Sequence, residues 1–214
     1  RDLGYGDVTV ISPTCEDGYS GVGEHADELI RTAWRALIGG ELLTKLLLRI
    51  RPYETVSGAA DAAHGQALDD FCDSVETRGK SPTARLARLQ ESLSCGRRLL
   101  HSVPADFSSP RPLVGIVGEI FCRLNAFSND EVVRKVEEAG GECWISDVSE
   151  WLWYTNAAHI HLLKRFRKHL TFEMFGARLK WHTQHKDERE LYKVFGDDFL
   201  GYEEEALRIV LDAR

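Results

Sequence analysis

Four things are missing from this 214-residue sequence: an excess of basic charge, a Cys-x-x-Cys pair, a glycine-rich nucleotide loop and a bilayer-length apolar run. Each absence excludes a class of function. Lys and Arg number 27 against 34 Asp and Glu, for a net charge of −7, which excludes broad electrostatic capture of nucleic acid. The five cysteines, Cys15, Cys72, Cys95, Cys122 and Cys143, are an odd set with no close pair, so there is no zinc knuckle and no ferredoxin-type run. They read as reduced thiols buried as small apolar side chains in a cytoplasmic protein; convergence of distant cysteines on an iron–sulfur cluster is the alternative. The longest apolar stretch, Leu42 to Ile50, is broken by Lys45 and Arg49, so no membrane span is expected. Ser12, Ser20 and Ser128 lack a nucleophile elbow, and no internal repeat is visible. The sequence opens on Arg-Asp-Leu-Gly without a signal-peptide core and closes on a helical Glu203–Leu211, and we read it as a segment of a longer polypeptide.

What is present is helical periodicity interrupted by short β-branched runs. Val8 to Ser12 reads as a strand stopped by Pro13, and the glycines of Cys15 to Gly23 as a loop. From Ala26 to Ile50, apolar residues recur at 26, 29, 30, 33, 34, 37, 38, 42 and 46, a helical stripe. Gly39-Gly40 interrupts it at about 1 kcal/mol each, suggesting close helix packing or a kink. Pro52 stops the helix. A second helix is expected over Ala59–Val75, and a third from Ser81-Pro82, a cap and first-turn proline, through Leu100. Pro104 to Pro112 is a connector.

Leu113 to Val117 is a continuous apolar run, suited to a parallel strand covered on both faces. The loop Gly118–Phe127 follows, then Ser128-Asn-Asp-Glu131 as a capping box for a short helix ending at Gly140-Gly141, then a strand over Glu142–Ile145. This is a βαβ signature with a right-handed crossover. Ser149–Tyr154 has neither period clearly; helices are expected over Ala157–Leu170, Glu188–Phe195 and Glu203–Leu211. The chain thus divides into a short strand plus mainly helical region, 1–105, and a βαβ-containing region, 106–214.

Ligands of open α/β sheets sit at the carboxyl ends of strands. Here that point carries Gly118, Glu119, Arg123, Asn125 and Asn129, beside a helix start that favours anions. These groups either face a ligand or cap and pair within the loop. Arg49, Arg51, Tyr53 and Glu54 surround a helix stop, where the arginines either offset the helix dipole or face a ligand or interface. Glu150, Trp151, Trp153 and Tyr154 line either a core or an apolar pocket. His159-x-His161 and His182-x-x-His185 read as helix-surface histidines, and no metal ligands are assigned. Between His161 and Glu190, eight basic residues stand against four acidic ones, either a solvated helix face or a patch for a phosphorylated ligand.

Three blocks taken in order resemble one family. They are Val10-Ile-Ser-Pro with Glu16-Asp-Gly-Tyr19-Ser-Gly, then Leu46-Leu-Leu-Arg-Ile-Arg-Pro-Tyr-Glu54, then Arg111-Pro-Leu-Val-Gly-Ile-Val-Gly-Glu-Ile-Phe-Cys-Arg-Leu-Asn-Ala-Phe127 with Gly140-Gly-Glu and Ser149-Glu-Trp. They resemble the acyl-CoA dehydratase activase-related proteins, in which activase-type ATPase modules are joined to a segment similar to 2-hydroxyacyl-CoA dehydratase subunits. The likeness covers most of residues 8 to 155.

The resemblance implies a helix-rich α/β fold with a parallel sheet of Rossmann/flavodoxin-like type plus an α-helical segment, in an anaerobic cytoplasm. It implies ATP and a four-iron, four-sulfur cluster in the intact system, with ATP-dependent radical dehydration by the parent. The family's Cys-Met-Pro-Gly element and activase phosphate-binding elements are missing here, so no cofactor is assigned to this segment and it is not expected to turn over substrate alone. The implied role is a contribution to an acyl-CoA or cluster-proximal cleft, with Glu119, Arg123, Asn125 and Asn129 facing the ligand and Arg51, Tyr53 and Glu54 behind them. The alternative is an interaction scaffold docking activase modules or a second copy as a homodimer.

Overall fold

The computed structural model describes residues 26–77, 81–166 and 171–200. The expected strand Val8–Ser12, the loop Cys15–Gly23 and the helix Glu203–Leu211 lie outside the described residues. The chain divides between Trp34 and Arg35 into two compact units. Residues 26–34 of the first open helix α1 (Ala26–Ile50), with Asp27 and Glu28 in its first turn, where the dipole favours acids. Everything below concerns the second unit.

There α1 runs without interruption through Gly39-Gly40. Of the two packing alternatives, close approach holds: a Cβ on Gly39 would lie 2.1 Å from Cζ of Phe71, while one on Gly40 would meet nothing within 4 Å. The expected single stripe broadens towards the carboxyl end. Leu42, Leu43, Leu46, Leu47, Leu48 and Ile50 are all buried, so this half of α1 is enclosed on every side. Each such side chain contributes about 1.5–3 kcal/mol of burial. A 3-10 turn, Arg51–Tyr53, ends the helix at Pro52.

Helix α2 (Ala59–Glu76) and helix α3 (Pro82–His101) pack together and onto α1. Ser81 caps α3 by accepting from the amide of Ala84, as its position before Pro82 predicts. Gly96 lets α3 approach closely: a Cβ there would stand 2.9 Å from Leu43 and 3.0 Å from Ala67. Phe71, Leu89, Leu93 and Leu100 complete this core.

Strand β1 (Leu113–Ile116) pairs in parallel with strand β2 (Glu142–Ile145), Leu113 opposite Glu142 and Ile116 opposite Ile145. The crossover between them holds helix α4 (Ile120–Leu124), in what was expected to be open loop, and helix α5 (Val132–Glu138). The strand–crossover–strand unit is therefore present, and the described residues form a helix-rich α/β arrangement with a two-stranded parallel sheet. Two details depart from expectation. β2 is buried, but β1 is not covered on both faces: Leu113 and, just beyond the strand, Val117 are exposed. The capping box does not form: Asp130 and Glu131 take left-handed backbone, and Asn129 instead accepts from the Val132 amide.

The aromatic run after β2 is helical. Helix α6 spans Val148–Arg165, starting well before the expected Ala157, and helix α7 spans Phe172–Tyr192, starting before the expected Glu188. Turns over residues 193–200 replace the expected end of that last helix and bury Phe195 and Phe199. No described helix is long and apolar enough to cross a membrane.

Candidate functional site

At the carboxyl rim of the sheet the predicted loop residues do come together, and their polar atoms turn onto the loop's own main chain. Glu119 caps α4, its Oε2 accepting from the Cys122 amide at 3.0 Å, and that bond holds its carboxyl below the usual range. Arg123 is 9% exposed. Its Nη1 donates to the Gly118 carbonyl at 2.7 Å and its Nη2 to the Asp147 carbonyl at 3.0 Å, tying the loops after β1 and β2 together. Its Nε is buried with no hydrogen-bond partner. Asn125 accepts from the Ser128 amide, and Asn129 donates to the carbonyls of Cys122 and Arg123.

Arg51, Tyr53 and Glu54 are at the other end of the strands. Arg51 forks onto Glu137 at 2.8 and 2.9 Å and reaches Asp61 with Nη1. The Tyr53 hydroxyl donates to Glu142, the first residue of β2, and accepts from the Arg111 amide, two residues before β1. Glu54 accepts from the amides of Gly58 and Ala60 and so caps α2, whose own N-cap is a glycine at φ +81°. Roughly 10 Å of strand separates this amino rim from Arg123. The fold does not place these three residues behind Glu119 and Arg123.

A second set of groups meets at the carboxyl rim, and sequence reasoning missed it. Because the end of α1 is enclosed, its polar side chains need partners inside the molecule. The Lys45 ammonium forms a short salt bridge with Asp147, the residue that precedes α6, and donates to the Tyr192 hydroxyl at 3.3 Å. It also stands 4.7 Å from the centre of the Trp144 ring, a cation–π contact. Burial opposes the Lys45 charge, but Asp147 and Tyr192 more than offset it, and its pKa rises.

Asp147 sits at the N-cap of α6 but spends its carboxylate on Lys45. Glu41, one turn before Lys45, takes over the capping: its Oε1 accepts from the amides of Val148 at 2.8 Å and Ser149 at 3.2 Å. Its Oε2 is buried without a partner. Burial, then the neighbouring Asp147, push the Glu41 carboxyl up to about 7. From α7, Glu188 accepts from the Trp153 indole at 3.0 Å, and burial lifts it to about 7 as well. Burial raises Tyr192 to about 12. Glu150 accepts from Ser146 at the rim of the cluster.

The other candidates disperse. His159 and His161 are exposed on α6, as expected for surface histidines. Trp153 is buried against Trp181 at 4.9 Å, whereas Trp151 and Tyr154 are exposed, so the aromatic run is half core and half surface. Cys143 is buried, but Cys72, Cys95 and Cys122 are exposed, contrary to the expectation of buried thiols. Cys15 lies outside the described residues. Among the described residues no three His, Cys, Asp or Glu side chains gather as a metal site, and these four thiols sit on four different elements. They do not fit an iron–sulfur cluster, and no chemistry is routed through one. A groove of about 500 Å³ at the end of α3 is lined by Arg97, Arg98, His101 and Ser102, with Arg97 and His101 already engaged by Asp198.

No family model matches the chain, and no curated protein or solved structure is significantly similar to it.

Proposed function

We propose that the chain is a dehydratase-like module of a CoA-enzyme activase-related protein, cytoplasmic and built on a Rossmann/flavodoxin-like sheet. It contributes one wall of an acyl-CoA or cluster-proximal cleft and does not turn over substrate alone. The supporting observation is the parallel strand–crossover–strand unit, whose two carboxyl-end loops are joined by Arg123 through the carbonyls of Gly118 and Asp147. That rim is where α/β sheets receive ligands, and Arg123, whose Nε has no hydrogen-bond partner, is the cation it would offer to a thioester's phosphates or carbonyl. ATP and a cluster belong to the partner modules in this reading.

Calorimetric titration of the parent polypeptide with CoA thioesters tests it. Arg123→Ala unties Gly118 from Asp147 and is expected to weaken binding about tenfold or more, the scale of one charge-assisted contact. Unchanged affinity removes the role. Arg123→Lys, checked for an intact fold by circular dichroism, separates loss of the fork from loss of structure.

A second reading, an interaction scaffold for activase modules or a second copy, is favoured by the apolar side chains left in solvent. Phe127 is 95% and Phe172 96% exposed, and Phe121, Phe166 and Phe175 are also largely exposed. A strictly monomeric chain in light scattering that fails to capture the rest of its parent counts against it.

A further inference from the structure

The enclosed cluster at the head of α6 holds more acid than base. From α1 come Glu41 and Lys45; from the β2–α6 junction, Asp147 and Glu150; from α4, Arg123; and from α7, Glu188 and Tyr192, with His185 3.5 Å from Glu188. Fully ionised, the four carboxylates face two permanent cations, a net of −2 in a region largely shut off from water. Desolvated like charges do not all stay ionised.

The geometry also shows what the cluster holds. One oxygen of Glu41 carries the first two amides of α6 and the other is buried with no hydrogen-bond partner, so that burial and the neighbouring Asp147 outweigh the help its charge receives from Ser149 and Val148. Glu188 accepts from Trp153 of α6, and Asn156 of α6 donates to Gln184 of α7, so the same cluster sits astride the α6–α7 pairing. Opening the head of α6 would admit water to Glu41, Asp147 and Glu188 together.

We propose that Glu41, Asp147 and Glu188, gathered around Lys45, form a proton-operated latch: the cluster keeps a proton while α1, α6 and α7 are locked together, and gives that proton to water when the head of α6 opens. The inference stands apart from the proposed function, since it needs neither a CoA ligand nor a partner. The sign follows from the burial of the acids. The closed form binds the extra proton more tightly than the open form, so latch stability is greatest in mild acid and declines as pH rises towards neutrality. It levels off once the closed form has also lost the proton.

The test is amide hydrogen exchange in the whole chain, read at Val148 and Ser149 and corrected for the intrinsic exchange rate. For one proton released, the opening equilibrium is expected to rise about tenfold between about pH 5.5 and 6.5 and to flatten above about pH 7.5. Glu41→Gln keeps the acceptor oxygen while removing the titrating proton, and should reduce this slope; Glu188→Gln should reduce it in the same sense. Flat protection in the parent chain, or an undiminished slope in Glu41→Gln, overturns the proposal. Should a variant fail to fold, carboxyl carbon NMR of the unmodified chain decides the matter. One or more Glu carboxyls still protonated near pH 6 support the latch, and all Glu carboxyls titrating in the ordinary range near 4.3 overturn it.

Discussion

Two adjacent glycines on α1 should respond to the same substitution with opposite signs. Gly39→Ala adds a methyl group whose carbon would lie 2.1, 2.7 and 2.8 Å from three atoms of the Phe71 ring. Real carbons do not approach so closely, so Phe71 must move or α1 and α2 must separate. Phe71 is only 2% exposed and has nowhere free to turn. Overpacking of this kind costs about 1–3 kcal/mol, and the severity of the clash points to the upper part of that range or beyond. The better helix propensity of alanine returns about 1 kcal/mol. The net expectation is a loss of about 1–2 kcal/mol, or a fall in Tm of a few degrees for a chain of this size. Gly40→Ala meets nothing within 4 Å and keeps the propensity gain, so it should be stabilising by up to about 1 kcal/mol. Urea unfolding of both variants, followed by helical circular dichroism, measures the difference. A Gly39→Ala protein at least as stable as the parent would refute the packing of α1 against α2 described above.

Asp187→Ala strands the Arg35 guanidinium, which forks onto that carboxylate at 2.9 Å through both Nε and Nη2 in a fully buried setting. A loss of about 3–5 kcal/mol is expected in the same unfolding assay, and a loss below about 1 kcal/mol would place the pair in solvent. With a thiol reagent at mildly alkaline pH, Cys72, Cys95 and Cys122 should react promptly. Cys143, whose thiol burial pushes up to about 11, should react only on unfolding, as mass spectrometry of the labelled peptides would show. Fast labelling of Cys143 in the folded chain would contradict the burial of β2.

The elements most legible in the sequence are those set by local rules. Ser81-Pro82 announced α3, Pro52 stopped α1, and the apolar runs at 113 and 142 marked the two strands within a residue. Elements whose ends are set from elsewhere were harder. The head of α6 is capped by Glu41, more than a hundred residues earlier; the local signal, Asp147 followed three positions later by Glu150, is short and is passed over beside the aromatic run. The capping box at Ser128–Glu131 followed a sound local pattern, but the turn took left-handed backbone at Asp130 and Glu131 and moved the cap to Asn129.

The site divides the same way. Glu119, Arg123, Asn125 and Asn129 were placed at the correct rim by the βαβ pattern, but sequence spacing could not show that their polar atoms would be taken up by main-chain partners. Sequence reasoning does not single out Glu41, but Lys45, with Arg49, is visible as a charge in an apolar helix. That signal served only to argue against a membrane span, when a lysine amid Leu42 to Ile50 also calls for a buried anion. Asp147 is that anion, and only the crossover connection brings it there.

The claim that a CoA thioester meets this chain at the carboxyl rim of β1 and β2 is tested most directly by amide NMR of the labelled protein during titration with a CoA thioester. The account predicts shifts concentrated at residues 117–125 and 146–150. Shifts confined to the amino rim around Arg51 to Glu54, or none at saturating ligand, would contradict it.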